Sequence, residues 1–583
     1  FASNNTTNNN NNNNQQTTTK PSMSVLPRHQ PHSVVNHNRR ARRTAVGTLP
    51  VDVSTQFVES RGVYELEGCL TQIQEREIDW KVKVVMSDRE AVDIEALNNR
   101  VNQLGPVHAA CVPIVTSNDP TSYAAAVNKR SNFMQDGPSD DVGEAEFKES
   151  LAIIKVLPSL FDIWEENDVD RERWLAKLPL SKQQRMRDAW DNRDLSDIKE
   201  LTSKNGSVKI EPLAGKRYVR DAAGRIIYAG TDLFNAVTGP PSMVKMERLV
   251  QLLSTELPDG SHVKVGDVNV KLGYKTDAIA LAAFIKDERF PNIVEGDFSR
   301  NDREQRSKVA KIVAAMMRKL GIPEWYCALM DTMENYTLTN RDFGLRVTLA
   351  YQLATGTTNT TFRNSVYNMV MFAVACRRQG RRGKALILGD DLLACLDKRF
   401  NLNAWIETVA AFKMVLKAKG PQLDGEATFL SRRIFADVET PTMIPLLGKM
   451  LVRFNVRANN NDAVSDSCYM ASKALSYAFG CMHVHWLRDM FLARFEMEDG
   501  HDQVSIEDLG WMARNNGYST QDIIRITKAA PNLVDDDQFS LWSSSVYDLD
   551  IVEVQELFEA TVLCREPHVL DLANIEKMSM DYE

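Results

Sequence analysis

The sequence contains no apolar run close to the roughly 18 residues needed to cross a bilayer, and its start lacks the apolar segment of a secretory leader. Membrane attachment through a span of the chain itself is therefore not expected. Cysteine is sparse, with eight in 583 residues and no CxxC pair. That excludes a disulfide scaffold and points to reduced, intracellular thiols. Cys481, His483 and His485 are close in sequence, but a helix through them would turn His483 away from the other two, so no zinc site is expected there. An excess of positive charge is missing too: the formal net charge is -8. A generally basic nucleic-acid coat is thereby excluded, and any polyanion must be met by a local basic channel in an acidic body. Hydrophobic content of 43% and charged content of 25% describe a globular protein. Its length allows about three or four domains.

Residues 1–48 stand apart from the rest. They hold the asparagine run Asn8 to Asn14, threonine and glutamine repeats, and the basic cluster Arg39, Arg40, Arg42 and Arg43. So little apolar surface cannot offset the entropy of ordering, and a disordered tail is expected. Its basic cluster suits an RNA contact, a processing site or a plain solvated linker. From Val51 the pattern is globular, with a polar break at 135–143 and a helical section covering 144–156 and much of 159–197.

The chain is organised around Gly389-Asp390-Asp391, two carboxylates between the apolar runs 385–388 and 392–396. This reads as a β-hairpin with acids at its tip. Adjacent carboxylates at fixed positions suit a hard, oxygen-seeking cation such as magnesium or manganese, although Gly-Asp-Asp is also ordinary turn chemistry. Upstream, the apolar stretch at Ile293 and Val294 runs into Asp297 and Asp302, five positions apart. Asp302 is expected to open a helix with Val309, Ile312, Val313, Met316, Met317 and Leu320 on its apolar face, stopped by Gly321 and Pro323. Further on, the pliable loop Thr355-Gly356 leads into a buried helix where Thr360, Asn364 and Asn368 share one face. A basic hairpin around Lys209, Lys216 and Arg225 offers several fixed cations to a triphosphate.

In this order and at these separations the segments resemble the polymerase motifs of positive-strand RNA virus RNA-dependent RNA polymerases, most closely the nodavirus and tombusvirus-like assemblage. Asp297 to Asp302 is similar to the first palm motif, Thr355 to Asn364 to the second, and Gly389-Asp390-Asp391 to the third. Lys209 to Glu211 with Gly224-Arg225 resembles the fingers motif that holds the incoming triphosphate, and Phe429 to Arg433 the motif that supports the primer. The resemblance covers about 205–460. Two departures stand out: Thr355 replaces the usual serine, and Thr357 stands where many relatives carry aspartate. The lysine of a fourth motif is open among Lys413, Lys417 and Lys419.

The resemblance implies an α+β right-hand fold. Its expected divisions are the tail (1–48), an N-terminal region with fingers (49–290), a palm with an antiparallel sheet and an interleaved fingers segment (291–440) and a helical thumb (441–583). It implies template-directed nucleotidyl transfer with two Mg2+ or Mn2+ ions, Asp297 and Asp390 bridging them and Asp391 supporting. Lys209, Lys216 and Arg225 would hold the triphosphate. Asp302, Thr360 and Asn364 would read the ribose, and Thr355, Gly356, Arg432 and Arg433 would touch template or primer. Expected partners are template and nascent RNA, NTPs and viral or host replication factors. The expected location is the host cytoplasm, at membrane-associated replication complexes or in the virion. The rivals are a reverse transcriptase and an RNA-binding assembly protein keeping a silent polymerase fold.

Overall fold

A computed structural model describes residues 83–86, 102–111, 114–115, 123, 126–127, 130–131 and, from 141 to 582, all but 214–223, 300, 341–344, 423–424, 437, 459–463 and 511–517. The tail, its basic cluster and Lys216 lie outside the described residues.

In chain order the first half carries β1 (Lys83–Met86), α1 (Glu144–Lys155), α2 (Asp168–Leu175), α3 (Leu180–Asp191), β2 (Ser203–Lys209), β3 (Arg225–Gly230), α4 (Asp232–Ser254), β4 (Val268–Leu272), α5 (Ala278–Ile285) and β5 (Asn292–Phe298). There follow α6 (Ser307–Lys319), α7 (Glu324–Thr332), β6 (Asn335–Asn340), β7 (Leu345–Ala350), α8 (Thr360–Arg378), β8 (Gly383–Leu388), β9 (Asp391–Leu396), α9 (Leu402–Ala411) and β10 (Leu416–Gln422). A small sheet, β11 (Thr428–Phe429), β12 (Arg432–Phe435) and β13 (Thr442–Pro445), leads to α10 (Leu447–Phe454), α11 (Asp466–Gly480), α12 (His485–Met497), α13 (Thr520–Ala529), α14 (Asp536–Tyr547) and α15 (Ile551–Val562). The class is α+β. No helix among the described residues is long and apolar enough to cross a membrane.

Two five-stranded sheets carry the architecture, one ordered β1-β7-β6-β2-β3 and the other β10-β5-β9-β8-β4. The second is not purely antiparallel as expected, because β4 pairs parallel to β8, and β4 comes from ahead of position 291. Strand alternation gives this sheet two apolar faces. Leu392, Ala394, Val294 and Phe298 pack into the main core with helices α4, α6, α8 and α9. Leu393 and Cys395 pack on the opposite face with Leu281 and Ile285 of α5 and with Phe429 and Ile434 of the small sheet. A separate core unites α10 to α15.

Helix α6 buries Val309, Ile312, Val313, Met316 and Met317, the apolar positions expected from helical spacing. Its start differs: Asp302 lies in a turn, and the helix begins at Ser307 after Arg306. Asp302 is held in that turn because its carbonyl accepts the Leu353 amide at 2.9 Å. Of the section expected to be largely helical over 159–197, helices cover 168–175 and 180–191, and residues 159–167 are not helical. There the Trp164 amide donates to Gly321 at 2.7 Å and its indole N–H donates to Asp170 at 2.9 Å, tertiary bonds that hold the segment extended. The long helical pattern from 463 to 497 splits into α11 and α12 at a bend, where His483 Nδ1 meets the Pro531 carbonyl at 3.1 Å.

Candidate active site

The hairpin expected at 385–396 is present, with Leu388 paired to Asp391 and a two-residue turn at Gly389-Asp390. Gly389 sits at φ +68, where a side chain would be strained. Its backbone N–H donates to Ser365 Oγ at 2.8 Å, and Asn368 Nδ2 donates to the Asp390 carbonyl at 3.2 Å. Helix α8 thus grips the turn from below. On β5, Gly296 pairs with Leu392, so one further step of the same register sets Asp297 opposite Asp391. Directly opposed antiparallel residues share a face, and the two carboxylates therefore share the face away from the main core. On the other side of β5, Lys417 of β10 is paired with Asp297 and Lys419 with Glu295.

Asp390 and Asp391 both reach solvent, and Asp390 lines a concave pocket with Thr361, Phe362 and Tyr274. Burial raises the Asp390 carboxyl above its ordinary range, and the charges of Asp302 and Asp297 push it the same way. Burial, then Asp390 and Asp297, raise Asp391 to about 7, against the opposing charge of Lys449. Carboxylates that repel one another into taking up protons form a donor set suited to hard divalent cations. Among the described residues no three acidic, histidine or cysteine side chains converge closely enough to grip an ion. Ligation by Asp297, Asp390 and Asp391 would therefore require their side chains to swing together.

The structure joins the second motif to Asp302. Asn364 Nδ2 donates to Asp302 Oδ1 at 2.9 Å, and the Thr355 hydroxyl donates to Oδ2. Burial raises the Asp302 carboxyl, partly offset by these two hydrogen bonds. Gly356 has φ +90, and a Cβ there would lie 3.3 Å from Ile227 of β3. The Thr355 carbonyl accepts the Tyr228 amide at 3.0 Å, so the loop docks on that strand. Thr360 is turned elsewhere: its hydroxyl donates to the Ala354 carbonyl at 2.8 Å and braces its own loop.

Lys209 and Arg225 face each other across β2 and β3. Both lean on Glu211, Lys209 at 3.2 Å and Arg225 through both carboxylate oxygens. Burial pushes the Glu211 carboxyl upward, but Arg225 and Lys209 outweigh it and leave it at about 2. Two cations thus converge on one carboxylate. Arg225 also counts among the charges acting on Asp390, which relates this pair to the carboxylate cluster.

Arg432 and Arg433 require correction as template or primer contacts. Arg433 is 3% exposed and pairs with Asp581 at 2.6 Å, while Arg432 is 8% exposed and donates to the Gly480 carbonyl at 2.8 Å. Arg433 is thus matched to a buried carboxylate, whereas Arg432 is buried with its Nε meeting no acceptor among the described residues. In the turn before them, Leu430-Ser431, Ser431 is exposed and Leu430 half-buried, with both residues at positive φ. Three residues near the site were given no role from sequence: Ser365, Lys449 and Arg363. Lys449 donates to Ser431 Oγ at 2.8 Å. An arginine inside an otherwise apolar helix was the available signal for Arg363, because it demands a buried counter-charge.

A family model described as RNA dependent RNA polymerase matches residues 127–515. No curated protein matches the chain. The matched span is most of the chain and includes every element of the site above, so the chain belongs to the RNA dependent RNA polymerase family and is an RNA-directed RNA polymerase, a nucleotidyltransferase.

Proposed function

We propose that this polymerase extends an RNA 3′-hydroxyl on an RNA template by a two-metal mechanism, and that it copies a viral genome. The carrying observation is that strand register and the Gly389 turn bring Asp297, Asp390 and Asp391 to one end of one sheet. In this reading the second sheet is the palm, the first sheet belongs to the fingers and the helices from α10 onward form the thumb. Asp297 and Asp390 would hold two Mg2+ or Mn2+ ions with Asp391 in support. Bound there, such ions would lower the pKa of the attacking hydroxyl and neutralise charge developing on the phosphoryl oxygens and leaving group.

The chain's own residues supply the rest. Lys209 and Arg225 would offer donors to the triphosphate, and the Glu211 carboxylate pairs with both and so ties the two cations together. Asp302, with one oxygen accepting from Asn364 and the other from Thr355, retains lone pairs for a ribose 2′-hydroxyl. Thr355 and Gly356, which dock on Tyr228 and Ile227 of the strand that carries Arg225, would link template position to nucleotide binding. Base pairing selects the nucleotide, so contacts from the protein would fall mostly on backbone and 2′-hydroxyls. Activity would be exerted in the host cytoplasm, with template RNA, NTPs and replication factors as partners.

Extension of a labelled primer on a defined RNA template tests this. Purified wild-type protein is expected to incorporate NTPs with Mg2+ or Mn2+, and folded Asp390→Asn is expected to bind RNA without incorporating. Incorporation near the wild-type rate by that variant would sink the two-metal assignment.

A further inference from the structure

A carboxamide is two-faced: turned over, it presents a carbonyl where it had presented an NH2. Asn364 can steady the Asp302 carboxylate only with its NH2 toward it, and the surroundings decide that orientation. Asn364 Oδ1 accepts from Gln305 Nε2 at 2.6 Å. Gln305 Oε1 in turn accepts from Arg363 Nε. A guanidinium has five N–H donors and no acceptor, so Gln305 must turn its oxygen toward Arg363. Its NH2 then faces Asn364, the Asn364 oxygen must turn to receive it, and the Asn364 NH2 is delivered to Asp302 at 2.9 Å.

One donor-only side chain therefore polarises two amides in series. The other arms of Arg363 also meet acceptors: Glu334 at 2.5 Å and the Tyr351 carbonyl at 3.2 Å. Gln305 is 0%, Arg363 2% and Asn364 4% exposed, which leaves little room for water to satisfy the reversed pattern. Glu334 is buried too, so the arginine charge is matched inside the protein. The relay runs from the segment before β6, through α8 and the turn after β5, to the carboxylate between the loop and the catalytic hairpin.

We propose that Arg363, acting through Gln305, is a positioning residue for sugar selection: it fixes which end of Asn364 meets Asp302 and so keeps that pair set for a 2′-hydroxyl. This rests on reading Asp302 and Asn364 as the ribose contact.

Gln305→Glu is the direct test. It keeps the size of the side chain and its bond from Arg363 but removes the NH2, so Asn364 turns its own NH2 to the new carboxylate and its carbonyl to Asp302. The measurement is the ratio of incorporation efficiencies, kcat/KM, for matched ribo- and deoxyribonucleotides with the full-length protein on a primed template. An orphaned polar contact corresponds to about fivefold or more, and the ratio is expected to fall by at least that much. Gln305→Met removes donor and acceptor at similar volume and covers the case in which the first variant does not fold; its ratio is expected to fall less. Arg363→Lys, still donor-only, is expected to retain more of the ratio than Arg363→Gln, an amide that can face either way. Asn364→Ala separates the two ideas. If it lowers the ratio while folded Gln305 variants keep the wild-type value, the relay is overturned and the sugar reading stands. If Asn364→Ala also keeps the wild-type ratio, the sugar reading falls and the relay with it.

Discussion

The backbone N–H of Gly389 donates to Ser365 Oγ at 2.8 Å, so a fully buried hydroxyl on α8 pins the turn that carries Asp390. Helix α8 also ends in the same network as Asp302 through Asn364. One rigid helix thus sets the separation between the carboxylate tip and the carboxylate proposed for sugar reading. Ser365→Ala should orphan the Gly389 N–H at a cost of about 1–3 kcal/mol. Its expected signature is a lower melting temperature together with a fall in kcat, while RNA affinity is unchanged. Wild-type kcat in that variant would show that the turn holds its shape without the serine.

The crowding of carboxylates makes a pH prediction. Asp391 is raised to about 7, whereas an unfolded aspartate titrates near 3.9. A folded pKa above the unfolded one contributes stability that is full below about 4 and is lost as pH rises through about 7. In chelator, wild-type protein is therefore expected to lose melting temperature between pH 4 and pH 7 relative to Asp391→Asn, which has no such titration. Added Mg2+ at pH 8 should raise the wild-type melting temperature more than the variant's. Parallel pH curves for the two proteins would remove Asp391 from the cluster.

Much of this site is legible in the sequence because its chemistry is local. The turn glycine between two apolar strands, the two aspartates after Val294 and the polar face at Asn364 and Asn368 each announce themselves within a few residues. Asp302 does not open the helix its position suggests: a carboxylate ahead of a helical period imitates an N-cap, whereas its hydrogen bonds are tertiary and come from Leu353, Thr355 and Asn364. Arg433 misled for a related reason. Nothing near it in sequence discloses a counter-charge 148 residues away at Asp581, and without that partner a basic pair beside a hairpin looks available to RNA. The parallel pairing of β4 with β8 was equally out of reach, since strand order depends on long-range contacts.

Arg433 should accordingly behave as a structural residue. Its guanidinium meets Asp581 with both side chains nearly inaccessible, and Asp581 also accepts from Tyr547 at 2.7 Å and from the Gly448 amide at 2.9 Å. Arg433→Ala leaves that carboxylate buried without its cation, a loss of about 3–5 kcal/mol. Denaturant unfolding is expected to show it. Among molecules that remain folded, the slope of RNA affinity against salt should match wild type, because no phosphate contact is lost. A slope shallower by about one counterion would return Arg433 to the RNA.

The three lysines left open by sequence are separated by strand register. Lys413 sits at the exit of α9 with φ +64, before the strand begins. Lys419 is paired with Glu295, two steps from the carboxylate end, and Lys417 is paired with Asp297 itself. Opposed antiparallel side chains share a face and have Cβ atoms about 4.5–5.5 Å apart, so Lys417 projects from the same side of the sheet as Asp297 and Asp391. In the proposed mechanism an ammonium there would approach the phosphates, and general-acid proton donation commonly contributes about 10²–10⁴-fold. Lys417→Ala is therefore expected to lower kcat by at least about tenfold with little change in nucleotide KM. Lys419→Ala and Lys413→Ala should each stay within a few-fold of wild type. A general acid would also leave a mark on the pH–rate profile: Lys417→Arg, which stays charged at all accessible pH, should lose the alkaline limb while keeping nucleotide affinity. If Lys419→Ala or Lys413→Ala lowers kcat more than Lys417→Ala does, register alone does not choose the lysine, and the strand must shift when substrate binds.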